Sequence, residues 1–350
     1  MACTFRWTPY KADARMGLNH QMSSLSCAIN EAAFLGRALE LPAFICTDSS
    51  HNQGEACPAL ASLFDVELLS QLVPLRLGLN GTAADFALLP RGCDSRCARR
   101  TFPCERYPRL ERHQQGFWFQ ACLQHAVDVD DLARRTEQLL GLPHGHYGAE
   151  TVPSLALLRS GLFYSKPLKA AARKIRRLIG GPYSSVHLRR SDKLKAAGAS
   201  QASVRDVATQ AITLARLMRH WVPPGGTLYI GSTEPPAFFA PMASSYTLLF
   251  ASNFSEQLRG VSNNYAKYAI ESLVFVGSDL YVETYGYTRG NFMRGCYPFH
   301  VPQKAGGSAA GRSTVLVLGV AYGQACRRTC HDELHLIPPP RQRCRREPPL

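Results

Sequence analysis

The stretch Ser184–Lys193, with the sequence SSVHLRRSDK, carries most of the information about fold class. Val186 and Leu188 alternate with polar residues, which predicts a short strand over residues 184–188. The basic and polar turn 189–193 follows at once. In an open parallel sheet, ligands bind beyond the carboxyl ends of the strands, so this turn is a candidate site.

Outward from this stretch, the second half of the chain alternates between strand and helix patterns. Strands are predicted at 227–231, 246–250 and 279–283, and helices at 166–178, 204–218 and 264–276. The first of these helices carries six Lys or Arg residues and no acid. Strands that alternate with helices indicate an α/β fold, with a parallel sheet covered on both faces.

The first half is less regular. A turn at Met16–Gln21 precedes a helical pattern, for which Ser23 or Ser24 is the predicted N-cap. Residues 42–112 are rich in Pro, Gly and Cys and predict a Cys-rich loop insertion, and residues 117–140 predict a helix. We therefore expect an N-terminal Rossmann-like domain at 1–160, a C-terminal Rossmann-like domain at 161–301 and a disordered basic tail at 302–350.

Composition limits the function classes. The chain has 350 residues, 45% of them hydrophobic, which is enough to bury a core and excludes global disorder. Its formal net charge of +14 favours anionic partners, among them nucleic acids, acidic membranes, phosphorylated metabolites and nucleotide-sugars. The basic run at 166–177 lacks the interleaved aromatic residues of single-strand binders, so we expect no nucleic-acid partner.

The twelve cysteines bear on the compartment. The spacing of Cys93, Cys97 and Cys104 lacks the paired pattern of a structural zinc site, so disulfides in a secretory compartment are favoured over free thiols. No apolar run is long enough to span a membrane, and the start has no signal-peptide h-region. Either the protein is soluble as written or an N-terminal segment, including any membrane anchor, lies outside this sequence.

Four polar clusters are predicted at strand or helix ends, and they are residues 17–21, 187–192, 230–235 and 281–286. In the first, a glycine before a helix N-terminus favours an anion. In the second, two arginines suit bidentate phosphate recognition, and Asp192 is placed to orient a guanidinium or contact a sugar hydroxyl. Taken singly, each cluster is also explained by a plain turn or a surface Arg–Asp pair.

The order of four segments resembles the protein O-fucosyltransferase-like family of plants and algae and, more distantly, the α1,6-fucosyltransferases of N-glycan cores. The segments are GLNHQMSSLSCAINEAAFLGRALELP at 17–42, VHLRRSDK at 186–193, LYIGSTEP at 228–235 and NNYAKYAIESLVFVGSDLYVETYG at 263–286. The resemblance spans residues 5–297 except for 42–112. It implies a GT-B fold, in which two Rossmann-like domains face each other across a cleft.

The resemblance also implies an activity: transfer of L-fucose from GDP-fucose, with inversion, to a hydroxyl of a protein or glycan acceptor. It implies no metal and no cofactor beyond the donor substrate, and a Golgi or ER lumen location. Carried over onto this sequence, Arg189 holds the β-phosphate, while His187 and Asp192 shape the same pocket. Thr284 touches the diphosphate, and Glu234 lies in the turn that contacts the nucleoside.

From the first domain, the resemblance implies that Gly17 and Asn19 cover the donor. No general base is assignable, because Lys193 is followed by Leu-Lys-Ala-Ala-Gly and not by the carboxylate of the α1,6 enzymes. We expect catalysis to involve Arg189 and Asn19, with His20 as a candidate base. Glu31, Glu283 and leaving-group assistance by Arg189 without a base remain open.

Two further alternatives stay open at this stage. One is a catalytically weak or inactive relative that binds a nucleotide-sugar or glycan. The other is a transferase that uses rhamnose or mannose donors, because the turn STEP replaces a more usual aspartate by Thr233-Glu234.

Overall fold

A computed structural model of the chain describes two compact units. The described residues are 3–8, 17–45, 57–78, 86–89, 95–113, 134, 138, 163–190, 194–195, 202, 206–207, 209–219, 221–283, 314–319 and 324–329. The first unit comprises Met1–Ala170, Gly260–Ile270 and Phe299–Lys304, and the second comprises Ala171–Arg259, Glu271–Pro298 and Ala305–Leu350. Each contains a largely parallel sheet with helices, so the protein has an α/β fold.

The first unit contains a five-stranded sheet in the order β3-β2-β1-β5-β4, with every pair parallel. Its strands are β1 Thr4–Thr8, β2 Ala38–Pro42, β3 Leu75–Gly78, β4 Ala87–Leu88 and β5 Arg109–His113. Its helices include Leu18–Phe34, Leu60–Leu63, Val66–Leu69 and Ser95–Thr101. The parallel pairing agrees with the predicted class.

The helix Leu18–Phe34 buries an apolar stripe against β1 and β2. It begins at Gly17, which is the N-cap, and not at Ser23 or Ser24 as we expected from the sequence. Ser24 instead lies inside the helix, where its Oγ accepts a hydrogen bond from Trp7 Nε1 at 2.8 Å. Because the helix already begins at Leu18, Ser24 lies inside it and is not at its N-cap position.

The described residues of 42–112 do not form an irregular insertion in the first unit. They supply β3, β4 and most of β5, which together make three of the five strands of the sheet. These strands are hard to identify from sequence because β4 has only two residues and β5 has the polar sequence RLERH. Backbone pairing of β5 to β1, which is largely buried, compensates for the weak pattern of β5.

The second unit contains a six-stranded sheet in the order β11-β10-β9-β6-β7-β8. Its strands are β6 Ser184–Leu188, β7 Thr227–Ser232, β8 Thr247–Phe250, β9 Leu280–Glu283, β10 Thr314–Gly319 and β11 Gln324–Thr329. Its helices include Ala211–Met218 and Ala240–Ala243, with 3-10 turns at Pro236–Phe239 and Ala251–Phe254. The helices Lys166–Ile179 and Asn264–Val276 continue into it from residues of the first unit.

The predicted strands β6 to β9 and the helices Lys166–Ile179 and Asn264–Val276 lie within a residue or two of their expected bounds. One core cluster fills the space between the sheet and the helix Ala211–Met218, and it includes Val186, Leu188, Ile230 and Val282. This core fixes the central strands of the sheet, and with them the position of the turns that follow.

Within 302–350, which we expected to be a disordered tail, the structure describes two strands. β10 pairs parallel with β9, and β11 pairs antiparallel with β10. The expectation of disorder therefore does not hold for Thr314–Gly319 and Gln324–Thr329. The sequence TVLVLG is a continuous apolar run typical of a strand buried on both faces. It was not predicted as a strand because it lies between a glycine-rich segment and a basic segment, which are typical of linkers and tails.

Cys3 and Cys104 form a disulfide with their Cα atoms 6.1 Å apart. It ties the residue before β1 to the segment before β5. Cys27, Cys57 and Cys97 are also disulfide-bonded. The prediction of at least one disulfide in the Cys-rich region is confirmed.

Within the described ranges, no helix combines the length and apolarity that a bilayer crossing needs.

Candidate functional site

The carboxyl ends of β6, β7 and β9 meet at one edge of the second sheet. Leu188 pairs with Ser232, and His187 pairs with both Gly231 and Glu283. The chain runs from β6 outward through β7 to β8 and then returns to place β9 on the other side of β6. The strand order therefore reverses between β6 and β9, and this is the position at which open α/β sheets bind ligands.

Arg190, two residues after the end of β6, contacts several partners. It is 5% exposed, and its guanidinium donates to Thr209 Oγ1 at 2.6 Å, to the Asp206 carbonyl at 3.1 Å and to the Asp206 carboxylate. Its Nε forms an ion pair with Glu234 Oε1 at 3.3 Å, and its guanidinium carbon lies 4.9 Å from the centre of the Phe238 ring. Arg190 thus joins the turn after β6 to the turn after β7.

Asp206 is the more exposed partner in this network. Its hydrogen bond from Arg190 holds the pKa of the Asp206 carboxyl below its usual value, and a second hydrogen bond from Gln210 Nε2 at 3.0 Å acts in the same direction.

Glu234, which was predicted to lie near the nucleoside, has its carboxylate beside the side chain of Arg190. Its backbone N–H donates to Ser232 Oγ at 3.0 Å, which shapes the turn after β7.

Arg189, the residue predicted to hold the β-phosphate, is exposed directly after β6. His187, two residues earlier, is half-buried, and its ring centre lies 5.8 Å from that of Phe275. The structure therefore places Arg189 and His187 at the same strand end. Arg190 is buried, whereas Arg189 is exposed. The sequence alone does not show this difference between the two adjacent arginines.

Glu271 is a candidate site residue that the sequence reasoning missed. It lies in the helix Asn264–Val276, next to His187 and hydrogen-bonded to the Tyr229 hydroxyl. Desolvation of its carboxyl group raises the pKa of Glu271 to about 7, although His187 and Tyr229 act in the opposite direction. The available signal was an acid inside the apolar run YAIESLVFV, because a charge in a buried helix stripe needs a partner.

Gly231 shows how closely this group is packed. A Cβ added at this residue of β7 would collide with the Phe275 ring and lie 3.0 Å from the Glu271 carboxyl carbon. The glycine therefore allows the helix to approach β7 beside His187. Close approach, and not backbone conformation, requires glycine here.

The first unit has a corresponding strand-order reversal. β2 and β3 lie on one side of β1, and β5 and β4 lie on the other. Gly17 follows β1 at the start of the helix Leu18–Phe34, and no described residue lies within 4 Å of a Cβ built on it. Asn19 and His20 lie in the first turn of this helix, but their side chains are outside the described residues.

The remaining predicted residues fall into two groups. Asp192 and Thr284 lie outside the described residues, as does the side chain of Glu283. Glu31 is 1% exposed, and its Oε2 lies 3.4 Å from Arg112 Nε. This buried ion pair does not favour Glu31 as the catalytic base, which is one of the alternatives that the sequence left open.

No group of three or more His, Cys, Asp or Glu side chains suited to a metal occurs among the described residues.

Comparisons with known proteins return structural likeness alone, because no protein-family model and no curated sequence matches the chain. The crystal structure of POFUT1 in complex with GDP is 11% identical, covers 81% of this chain and 91% of its own, and has a TM-score of 0.45. NodZ alpha-1,6-fucosyltransferase soaked with GDP-fucose is 10% identical and covers 94% and 99%, with a TM-score of 0.45. The fucosyltransferase NodZ from Bradyrhizobium is 11% identical over the same shares, with a TM-score of 0.47.

TM-scores below 0.5 give these likenesses no weight in assigning a site or an activity. The class defined by the molecule itself is an α/β protein with two largely parallel sheets, and in the second sheet polar side chains lie at the reversal of strand order.

Proposed function

We propose that the chain is a glycosyltransferase that moves L-fucose from GDP-fucose to a hydroxyl of a protein or glycan, with inversion and in a GT-B arrangement. The observation that carries the proposal is the position of Arg189. It is exposed at the carboxyl end of β6, beside the reversal of strand order, while the neighbouring Arg190 is buried and fixes the turn.

The chemistry of sugar transfer gives such a group a role. When the bond from fucose to the diphosphate breaks, negative charge grows on the departing GDP. A guanidinium grips two phosphate oxygens at once, and a donor held in place beforehand stabilises that charge without reorganisation. The bonds from Arg190 to Asp206 and Thr209 supply the fixed turn from which Arg189 projects.

The identity of the donor rests on the order of the motifs. VHLRRSDK, LYIGSTEP and SDLYVETYG contain the strands β6, β7 and β9, whose carboxyl ends lie at one sheet edge, and the same three segments resemble the fucosyltransferase families. In this proposal Arg189 binds the β-phosphate and Thr284 touches the diphosphate. His187, Asp192 and the carboxyl group of Glu271 shape the pocket, and Gly17 and Asn19 cover the donor.

A nucleotide screen by isothermal calorimetry, followed by a transfer assay, tests this function. We expect GDP to bind more tightly than UDP or ADP, and GDP-fucose to be turned over. Absence of binding by all three nucleotides would contradict the proposal. Binding of GDP without transfer or hydrolysis of GDP-fucose would identify a binding module instead. Turnover with a mannose or rhamnose donor alone would show that the enzyme transfers a sugar other than fucose.

A further inference from the structure

The helix Lys166–Ile179 has one buried face and one strongly basic exposed face. Leu168, Ala172 and Ile175 are buried at three- and four-residue spacing. On the opposite side Arg173, Lys174 and Arg177 are exposed. The apolar face is therefore already used for folding, and the cationic face is what the helix offers to a partner.

Five of the six basic residues of this helix divide into two sets, and the sixth, Arg176, is hydrogen-bonded to Tyr183. Lys166 Nζ contacts Glu67 Oε2 at 3.0 Å, and Lys169 Nζ contacts Asp65 Oδ2 at 3.4 Å. Among the described residues, by contrast, Arg173, Lys174 and Arg177 have no hydrogen bond or ion pair. We call these three residues the cationic face. Protein carboxylates neutralise the start of the helix and leave its second half unneutralised.

The spacing of the cationic face suits a linear polyanion. Arg173 and Arg177 lie one helical turn apart, about 6 Å along the axis, and Lys174 lies beside them. Short runs rich in Lys and Arg are typical of nucleic-acid or heparin binding. Each guanidinium can bind two oxygens of a tetrahedral anion such as a sulfate group.

Three observations select among polyanions. A helix that lies on a membrane inserts its apolar face, but Leu168, Ala172 and Ile175 are buried in this protein. The disulfide between Cys3 and Cys104 is typical of oxidising compartments, where anionic polymers carry sulfate and carboxylate groups. The helix also contains no aromatic side chain on which a nucleic-acid base could stack.

From these observations we infer that the cationic face binds a sulfated polysaccharide. The site lies on the outside of the helix and does not depend on the proposed fucosyl transfer, so either proposal can fail without the other. Its ligand is recognised by charge density and sulfate geometry, and binding therefore weakens as salt rises.

The test measures binding of the full chain to immobilised heparin over a series of NaCl concentrations. The variant Arg173→Gln/Lys174→Gln/Arg177→Gln removes the cationic face with a residue that favours helix. The matched control, Arg76→Gln/Arg216→Gln/Lys267→Gln, removes three other exposed positive charges. Thermal unfolding checks that both variants fold like the wild type.

We expect the first variant to bind heparin about tenfold more weakly than the wild type, and the control to change by less than about twofold, given the strength of exposed ion pairs. Desulfated heparin should bind the wild type as weakly as heparin binds the first variant. Equal losses in the two variants would overturn the proposal, since net charge alone would explain them. Equal binding of desulfated heparin, or face-dependent binding to phosphatidylserine vesicles or single-stranded DNA but not to heparin, would also overturn it.

Discussion

Arg189 and Arg190 are adjacent in the chain but lie in opposite environments: Arg189 is exposed, and Arg190 is 5% exposed and bonded to Asp206 and Thr209. The two residues therefore have different tasks at the end of β6. One holds the turn in place, and the other projects from it. Substitutions at the two positions should separate effects on stability from effects on ligand binding.

Replacing Arg190 should lower stability. In Arg190→Ala, the Glu234 carboxylate and Thr209 lose their cationic partner, and breaking a buried pair in this way costs about 3–5 kcal/mol. Because Glu234 and Asp206 keep some solvent contact, we expect about 2–3 kcal/mol in urea unfolding. Arg190→Lys should lose less and still bind GDP. An unchanged unfolding free energy for Arg190→Ala would show that the network does not hold the turn.

Glu271 should make stability depend on pH. Its folded pKa of about 7 lies above the ordinary pKa of 4.5 for a glutamate, so the folded state binds this proton more tightly than the unfolded state does. The stabilisation is present below about pH 4.5 and is lost as pH rises through 7. Urea unfolding at pH 5 and pH 8 should show the wild type losing stability relative to Glu271→Gln, by about 3 kcal/mol at most.

The exposed Glu256 provides the control for this comparison, since it lies on the surface beside Arg259. Glu256→Gln should leave the difference between pH 5 and pH 8 as it is in the wild type. If Glu271→Gln also left the difference unchanged, the carboxyl group would be ionised in the folded state throughout this range.

Gly17 and Gly231 should respond differently to added side chains. Gly17 has φ −65° and ψ 164°, a conformation open to any residue, and its Cβ would meet no described atom within 4 Å. Gly17→Val should therefore change stability by less than about 0.5 kcal/mol, yet weaken GDP-fucose binding where the backbone approaches the donor. Unaltered donor binding in Gly17→Val would show that Gly17 is not part of the donor site.

Gly231→Ala should lower the free energy of unfolding by about 1–3 kcal/mol through overpacking against Phe275.

The disulfide between Cys3 and Cys104 should contribute to stability. It closes a loop with a sequence separation of 101 residues, and loss of such a bridge typically costs about 2–5 kcal/mol. Cys104→Ser should lower the unfolding temperature of the oxidised protein but not of the reduced protein. Thiol labelling of denatured, unreduced protein should find fewer than twelve free thiols, and a full count of twelve would contradict the assignment.

The sequence predicted the second sheet better than the first for a physical reason. β6 to β9 carry alternating or continuous apolar residues and are bounded by turn residues, so hydrophobic pattern alone locates them. β5 carries Arg112, whose burial is compensated by Glu31 from a distant helix, and no local pattern reveals such a partner. β10 was missed because a short apolar run between polar segments does not distinguish a strand from a linker.

The sequence predicted which strand ends lie together, but not the partners of their side chains. Strand ends followed by polar turns located His187 and Arg189, because parallel strands bring their carboxyl ends to one edge. The sequence did not distinguish Arg189 from Arg190, since the partners of Arg190 lie 16 or more residues away. It also did not identify Glu271, which lies next to His187 but comes from a helix that follows two further strands, β7 and β8.

The central claim is that Arg189 grips the phosphates of the departing GDP, and one measurement tests it most directly: GDP-fucose turnover and GDP affinity of Arg189→Lys beside Arg190→Lys. Losing one donor of this kind costs about 10²–10³ in rate in other enzymes. We expect Arg189→Lys to fold normally, bind GDP more weakly and lose turnover by at least that order, with a milder loss in Arg190→Lys. Near-full transfer by Arg189→Lys together with abolished transfer by Arg190→Lys would contradict this assignment, and unchanged GDP binding in both would contradict the nucleotide-sugar site itself.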